Sequence, residues 1–334
     1  MNKSYFALFC FFLSSFAYAL PPDGMVYQLK ASVVKIRVIL PNGGYGVGSG
    51  VVVAKDQVAT NCHVIQNAAA INVIKFGDSY RASTLKADWQ HDLCILRFDY
   101  LETTAVQLSP SKDLQYEQSV FTISFPNNAP KPLAVYGAVK ALYPFDNSVI
   151  IRSSTDFRLG ASGGPMFTDE GKLVGLITLK TPGRNAFYYN IPADWISALL
   201  KQPEVELPAV GALPFWDAPE EELPYFMRVV QPQMKNDWQS LLKIATQWVE
   251  KEPETLEAWY TLGLAEFMLK DTQNANTHLG KVYRQNARHT SALMYLALIA
   301  VQQGNKEDAL QKANLLSTLD ADAAAQVKTA LGVQ

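Results

Sequence analysis

Three short segments carry side chains that could cooperate in hydrolysis: Ala59-Thr60-Asn61-Cys62-His63-Val64, His91-Asp92-Leu93-Cys94-Ile95-Leu96 and Gly160-Ala161-Ser162-Gly163-Gly164-Pro165. They supply His, Asp and Ser in that order, 29 and then 70 residues apart. A serine hydroxyl is a poor nucleophile at neutral pH, so a base must accept its proton. Imidazole, with an ordinary pKa of ~6.5, is mostly neutral at pH 7 yet holds a proton in the transition state. A buried carboxylate would fix its tautomer and stabilise the imidazolium. The oxyanion needs donors aimed at it. Glycines around a serine let the backbone turn its amides toward one point, and the N–H groups of Gly160 and Ser162 are the expected hole.

Other candidates fit less well. His91 is the only other histidine before residue 200, and it has no such surroundings. Asp88 precedes Trp89-Gln90, which reads as a turn, whereas Asp92 opens an apolar run that would bury it. Ser153 and Ser154 have no glycine frame. A lone His, Asp or Ser is usually structural; three in pattern reverse that expectation.

The quoted segments resemble those of trypsin-like serine proteases. More closely, they resemble the bacterial heat-shock peptidases of the Htr/Deg type, which carry Thr-Asn-x-His-Val, Asp-Leu-Ala-x-Leu and Gly-Asn-Ser-Gly-Gly-Pro. Ser32-Val33-Val34-Lys35-Ile36, Gly48-Ser49-Gly50 and Asn190-Ile191-Pro192 add to the likeness, which covers about 170 residues. It implies a double six-stranded β-barrel with the triad in the cleft between barrels. His63 would be the general base, Asp92 its orienting acid and Ser162 the nucleophile of a serine endopeptidase acting on proteins or peptides through an acyl-enzyme. Asp156, six residues before Ser162, has two readings. Counted as in trypsin it is the floor of a pocket for Lys or Arg; counted against the Htr/Deg pattern it belongs to a shortened loop, and small apolar side chains would be preferred.

Two departures matter. Ala161 stands where digestive trypsins carry the Asp that pairs with a newly cut N-terminus, and Leu20-Pro21-Pro22 is not the Ile-Val type. Activation by propeptide cleavage is therefore not expected. Htr/Deg peptidases usually continue into PDZ domains, whereas helical segments take that place here, so neither their regulation nor their trimeric assembly transfers. The contrasting reading is a catalytically silent or latent binding or scaffold protein that keeps the protease fold.

The elements around these segments agree. Short runs rich in Val, Ile, Phe and Tyr recur at 33–40, 50–54, 71–76, 93–98, 120–124, 135–142, 149–152, 173–179 and 187–191, as in a barrel or sandwich. Helices are expected at 25–31 and 193–201. The glycine-rich stretch from Asn42 to Gly50 leads into Val51-Val52-Val53, a strand rather than the helix of a dinucleotide fingerprint; it reads as a hairpin. Residues 20–200 thus form the protease-like domain.

Residues 201–235 read as an extended linker, since six of the chain's 18 prolines fall there. Phe215, Trp216, Tyr225 and Phe226 could clip it onto a domain. Residues 236–334 read as all-α and repeat: Trp259, Leu262, Gly263 and Ala275 return 34 residues later as Leu293, Leu296, Ala297 and Ala309. That period resembles tetratricopeptide (TPR) repeats, implying a concave surface for a partner or substrate segment, with 238–250 as half a repeat and 321–331 as a cap. Glu266 and Ala287 depart from the pattern, and an ordinary helical bundle is the alternative.

Residues 1–19 read as a signal peptide, with Lys3 as the charged start, an apolar stretch over 5–16 and Ala17-Tyr18-Ala19 as the cleavage site. Phe9 before Cys10 argues against a lipoprotein. The protein is expected in the periplasm, or outside the cell, with no later membrane segment. There Cys62 and Cys94 could pair, or stand as two small buried hydrophobes; sequence leaves this open. A formal charge of −2 argues against a nucleic-acid partner. No CxxC or HExxH spacing points to a metal, and no cofactor is implied.

Overall fold

A computed structural model describes residues 21–183, 186–207 and 211–333. The leader read over residues 1–19 lies outside the described residues. Helix α1 (Asp23–Lys30) leads into the first barrel: β1 (Val33–Ile39), β2 (Tyr45–Ala54), β3 (Gln57–Thr60), the single helical turn α2 (Cys62–Ile65), then β4 (Ala70–Lys75), β5 (Asp78–Asp88) and β6 (Leu93–Phe98). The strands run in the order β5-β4-β1-β2-β3-β6, and an antiparallel β5–β6 pairing closes the ring. Alternation in β1 sends Val34, Ile36 and Val38 inward against Val52, Leu85, Leu96 and Phe98. The glycine-rich stretch is a hairpin between β1 and β2, with Gly43 left-handed.

The second barrel consists of β7 (Ser119–Ser124), β8 (Leu133–Phe145), β9 (Ser148–Ser153), β10 (Pro165–Thr168), β11 (Leu173–Lys180) and β12 (Tyr188–Pro192). It closes in the order β10-β11-β12-β9-β8-β7. Phe121, Ile123, Ile150, Phe167, Leu176 and Ile191 are buried in its core. Asp146 and Asn147, both at positive φ, make the two-residue turn from β8 to β9. Helix α3 (Ala193–Leu199) follows.

The proline-rich segment is laid onto the barrels. β13 (Val205–Glu206) adds a strand to the outer edge of β5. A 3₁₀ turn at Phe215–Asp217 precedes two short helices, α4 (Tyr225–Arg228) and α5 (Val230–Met234). Pro224 caps α4, and Pro232 falls in the first turn of α5, where a missing N–H forfeits no helical bond.

Six stacked helices complete the described chain: α6 (Trp238–Lys251), α7 (Leu256–Met268), α8 (Thr272–Gln285), α9 (Thr290–Gln302), α10 (Lys306–Leu316) and α11 (Ala321–Leu331). The 34-residue echo extends to the backbone. Asp237, Asp271 and Asn305 sit at that spacing, and each side chain caps a helix by accepting from the N–H three residues on. Asn236, Lys270 and Gly304, just before them, are all left-handed.

The array and the second barrel share one core. Tyr143 of β8 stacks on Phe226 at 4.7 Å and on Trp248 at 6.4 Å. Beneath them, Glu257 of α7 accepts from the Tyr116 hydroxyl at 2.8 Å and from His289 Nε2 at 3.2 Å. Burial alone would raise the Glu257 carboxyl; His289, Arg152 and the Tyr116 hydroxyl outweigh it and hold the group below the usual range. Lys140 bridges Glu117 and Asp320 at 2.7 and 2.9 Å, joining β8 to the start of α11.

Candidate active site

The segment from Asn61 to His63 grips Asp92 at both its main chain and its carboxylate. Asn61 Nδ2 and Cys62 N–H donate to the Asp92 carbonyl at 3.0 and 3.2 Å. His63 N–H donates to Oδ1 at 2.8 Å, and His63 Nδ1 to Oδ2 at 2.5 Å. A carboxylate only accepts, so the proton sits on Nδ1 and a neutral ring leaves Nε2 free to act as a base. Asp92 adopts φ +56°, a left-handed conformation that Asp tolerates, at the turn entering β6, and is only 1% exposed. Cys62 and Cys94 form a disulfide, resolving the choice left open by the sequence. It joins the residue before His63 to the residue two after Asp92.

Ser162 is tied to this couple through Ser49. Ser49 N–H donates to the Ser162 carbonyl at 2.8 Å, and Thr60 Oγ1 donates to the Ser49 carbonyl at 2.8 Å. A second route crosses between barrels: Gly163 N–H reaches Ile177 O at 2.8 Å, and Asn61 Nδ2 reaches the adjoining Thr178 Oγ1 at 3.1 Å. Ser162 is half-buried, and its hydroxyl makes no hydrogen bond among the described residues.

Two peptide groups beside Ser162 have fixed orientations. Ala161 N–H donates to Arg158 O at 3.0 Å, closing a turn with Gly160 at φ +89° in its third position. Leu159 has no positive φ, so this is a type II turn, which needs glycine there. The Leu159 carbonyl is held by Asn127 N–H at 2.6 Å. A trans peptide points its C=O and N–H in opposite directions, so the Gly160 N–H faces away from Asn127. Likewise the Ala161 carbonyl accepts from Gly164 N–H at 2.9 Å, turning the Ser162 N–H the other way. Neither amide donates to an acceptor among the described residues.

The competing residues are engaged elsewhere. His91 lies between Asp88, at 2.6 Å from Nδ1, and Asp146, at 2.9 Å from Nε2. Ser153 bonds Thr155, and Ser154 accepts from Ala138 N–H. Asp156 is exposed, while Phe157 beside it is buried with Ala161 and Ile177 against Tyr188. Among the described residues, no group of three or more His, Cys, Asp or Glu could hold a metal. No described helix is long and apolar enough to cross a membrane.

Three residues that hold this geometry have no role in the sequence analysis: Ser49, Asn61 and Asn127. Ser49 and Asn61 stand inside the Gly48-Ser49-Gly50 and Thr60-Asn61-Cys62-His63 segments. Asn127 acts through its main chain, which leaves no side-chain signal.

Residues 48–176, which contain His63, Asp92 and Ser162, match the family model of the trypsin-like peptidase domain. A probable periplasmic serine endoprotease, DegP-like, from Halomonas elongata is 28% identical over 156 residues, covering 44% of this chain and 33% of that protein. Serine protease HTRA1B from Danio rerio is 29% identical over 194 residues, covering 53% and 40%. A solved structure of the HtrA-type protease AlgW with tripeptide aligns with a TM-score of 0.48 at 21% identity, over 53% of this chain and 61% of that one. The chain thus spans less than half the length of these two curated relatives. Over residues 48–176 the chain thus resembles trypsin-like peptidases, with HtrA- and DegP-like relatives at modest identity, and it continues into a helical region.

Proposed function

We propose that this chain is an exported serine endopeptidase that cleaves proteins or peptides. His63 takes the proton of the Ser162 hydroxyl as Oγ attacks the scissile carbonyl, and the imidazolium then protonates the leaving amine. Asp92 orients the ring throughout. The amides of Gly160 and Ser162 receive the oxyanion. Water, activated by the same imidazole, releases the acyl group. The observation that carries this reading is the pair of unspent amides beside Ser162, their partner carbonyls held by Asn127 and Gly164, near the half-buried His63 and its buried partner Asp92.

The exposed Asp156 and the apolar group of Phe157, Ala161, Ile177 and Tyr188 favour an apolar residue before the cleaved bond over Lys or Arg. The disulfide and the periplasmic relatives support an oxidising, periplasmic setting. The 34-residue recurrence of caps and left-handed residues supports a TPR-like array that binds a partner or substrate segment.

The test is labelling by a fluorophosphonate probe and turnover of casein at pH 8, with the purified protein and in its native lysate. Wild type should label and cleave, and Ser162→Ala should do neither. A wild type inert in both settings would favour the silent scaffold instead.

A further inference from the structure

We propose that Trp216, on the segment leading to the helical array, is a positioning residue for the Asp92–His63 couple. This rests on the serine-peptidase reading. The Trp216 indole N–H donates to Asp92 Oδ2 at 3.1 Å, the same oxygen that takes His63 Nδ1. Its ring also stands edge-on to His63, with centroids 5.5 Å apart and planes at 89°. Among the described residues, every hydrogen bond to this carboxylate comes from His63 or Trp216. With Asp92 1% exposed, water would be a poor substitute for a lost donor.

The indole is delivered by a seated backbone. Phe215 N–H donates to Gln90 O at 2.8 Å, two residues before Asp92. The Phe215 ring is buried against Phe145 at 5.0 Å. Gly211 lies against Trp89: a Cβ there would stand 1.8 Å from the indole, so only glycine lets the chain pass. The segment is thereby pinned to the 89–91 turn that presents Asp92, and Trp216 is set between that anchor and the His63 ring.

The indole N–H does two things. It withdraws negative charge from Oδ2, limiting how strongly Asp92 holds the proton on His63. It also fixes the carboxylate plane, and with it the direction of His63 Nε2. Without it, the couple should bind its proton more tightly and the ring should wander.

The test compares wild type with Trp216→Phe, and with a variant carrying β-(3-benzothienyl)alanine at 216, which keeps the indole shape but lacks the N–H. In both, kcat should fall about tenfold with KM little changed, as expected for loss of a hydrogen bond to a charged group. The acid limb of kcat/KM should move to higher pH. The His63 Nδ1–H resonance, read by NMR without any turnover, should shift in both variants. Unchanged kcat, acid limb and resonance in a labelled, active enzyme would overturn the positioning role. An inert wild type would overturn the peptidase reading, while the resonance would still show whether Trp216 acts on the couple.

Discussion

Asp92 engages His63 twice, taking the ring Nδ1–H on one carboxylate oxygen and the main-chain N–H on the other. The second bond anchors the carboxylate so that the first can direct the ring. Asp92→Asn should retain the fold but turn an amide N–H toward one of these donors or favour the wrong ring tautomer. A loss of about 10⁴-fold in kcat, with little change in Tm, is the expected outcome, by analogy with the same change in trypsin. Peptide turnover and calorimetry on the variant would decide. A variant retaining a tenth of wild-type kcat would remove Asp92 from the mechanism.

The Cys62–Cys94 bridge closes a loop with 32 residues of separation whose ends adjoin His63 and Asp92. Cross-linking a loop of that size stabilises by about 2–4 kcal/mol, chiefly by restricting the unfolded chain. The Cys62→Ser/Cys94→Ser double variant should therefore unfold at distinctly lower urea than oxidised wild type. Reductant should bring wild type to the same midpoint and leave the variant where it was. Equal midpoints for oxidised wild type and variant would argue against the bond.

How much of this was legible depends on whether information was local. Strands such as β1 and β6 announce themselves by apolar alternation or a continuous apolar run. β5, with the sequence DSYRASTLKAD, does not: its faces carry polar residues, and β13 and β6 flank it. β3 and β10 are four residues each, too short to show a period. The segments carrying His63, Asp92 and Ser162 are readable because the proposed chemistry restricts side-chain type. The Asn127 contact is not, because any residue except proline offers a main-chain N–H. Trp216 reads in the sequence as an aromatic clip, yet its partner lies 124 residues away, and only folding reveals which carboxylate it meets.

Gly160 offers a direct test of the proposed oxyanion role of its turn. An alanine Cβ there would stand 2.7 Å from the Phe125 carbonyl, in a backbone conformation at φ +89° that L side chains rarely adopt. The turn should relax by rotating the 159–160 peptide, breaking the Asn127 contact and removing one donor from the hole. Loss of one such donor typically costs ~10²–10³ in kcat. Gly160→Ala should show that loss in steady-state turnover, with KM changed far less. Near-normal turnover would mean that this amide is not a donor to the oxyanion.

His91 gives the fold a pH-dependent clasp between barrels. Its ring lies 3.9 Å from that of Trp195 and faces Asp88 at the end of β5 and Asp146 in the β8–β9 turn. Both ring nitrogens meet carboxylates, so the imidazolium satisfies both and the neutral ring only one. Burial alone would lower the His91 pKa, but the two carboxylates outweigh it and the pKa is raised above 6.5. A raised folded-state pKa stabilises fully below the unfolded value and loses that contribution as pH climbs through the folded one. Asp146 is half-exposed, which screens the pair and keeps the effect modest. His91→Gln should therefore lower Tm more at pH 5.5 than at pH 8.5, by about 2–4 °C per kcal/mol of difference. The lost stacking on Trp195 adds an offset that does not vary with pH. The other histidines are common to both proteins and cancel in the comparison. A Tm gap that stays constant or widens with rising pH would show that the imidazolium clasp does not form.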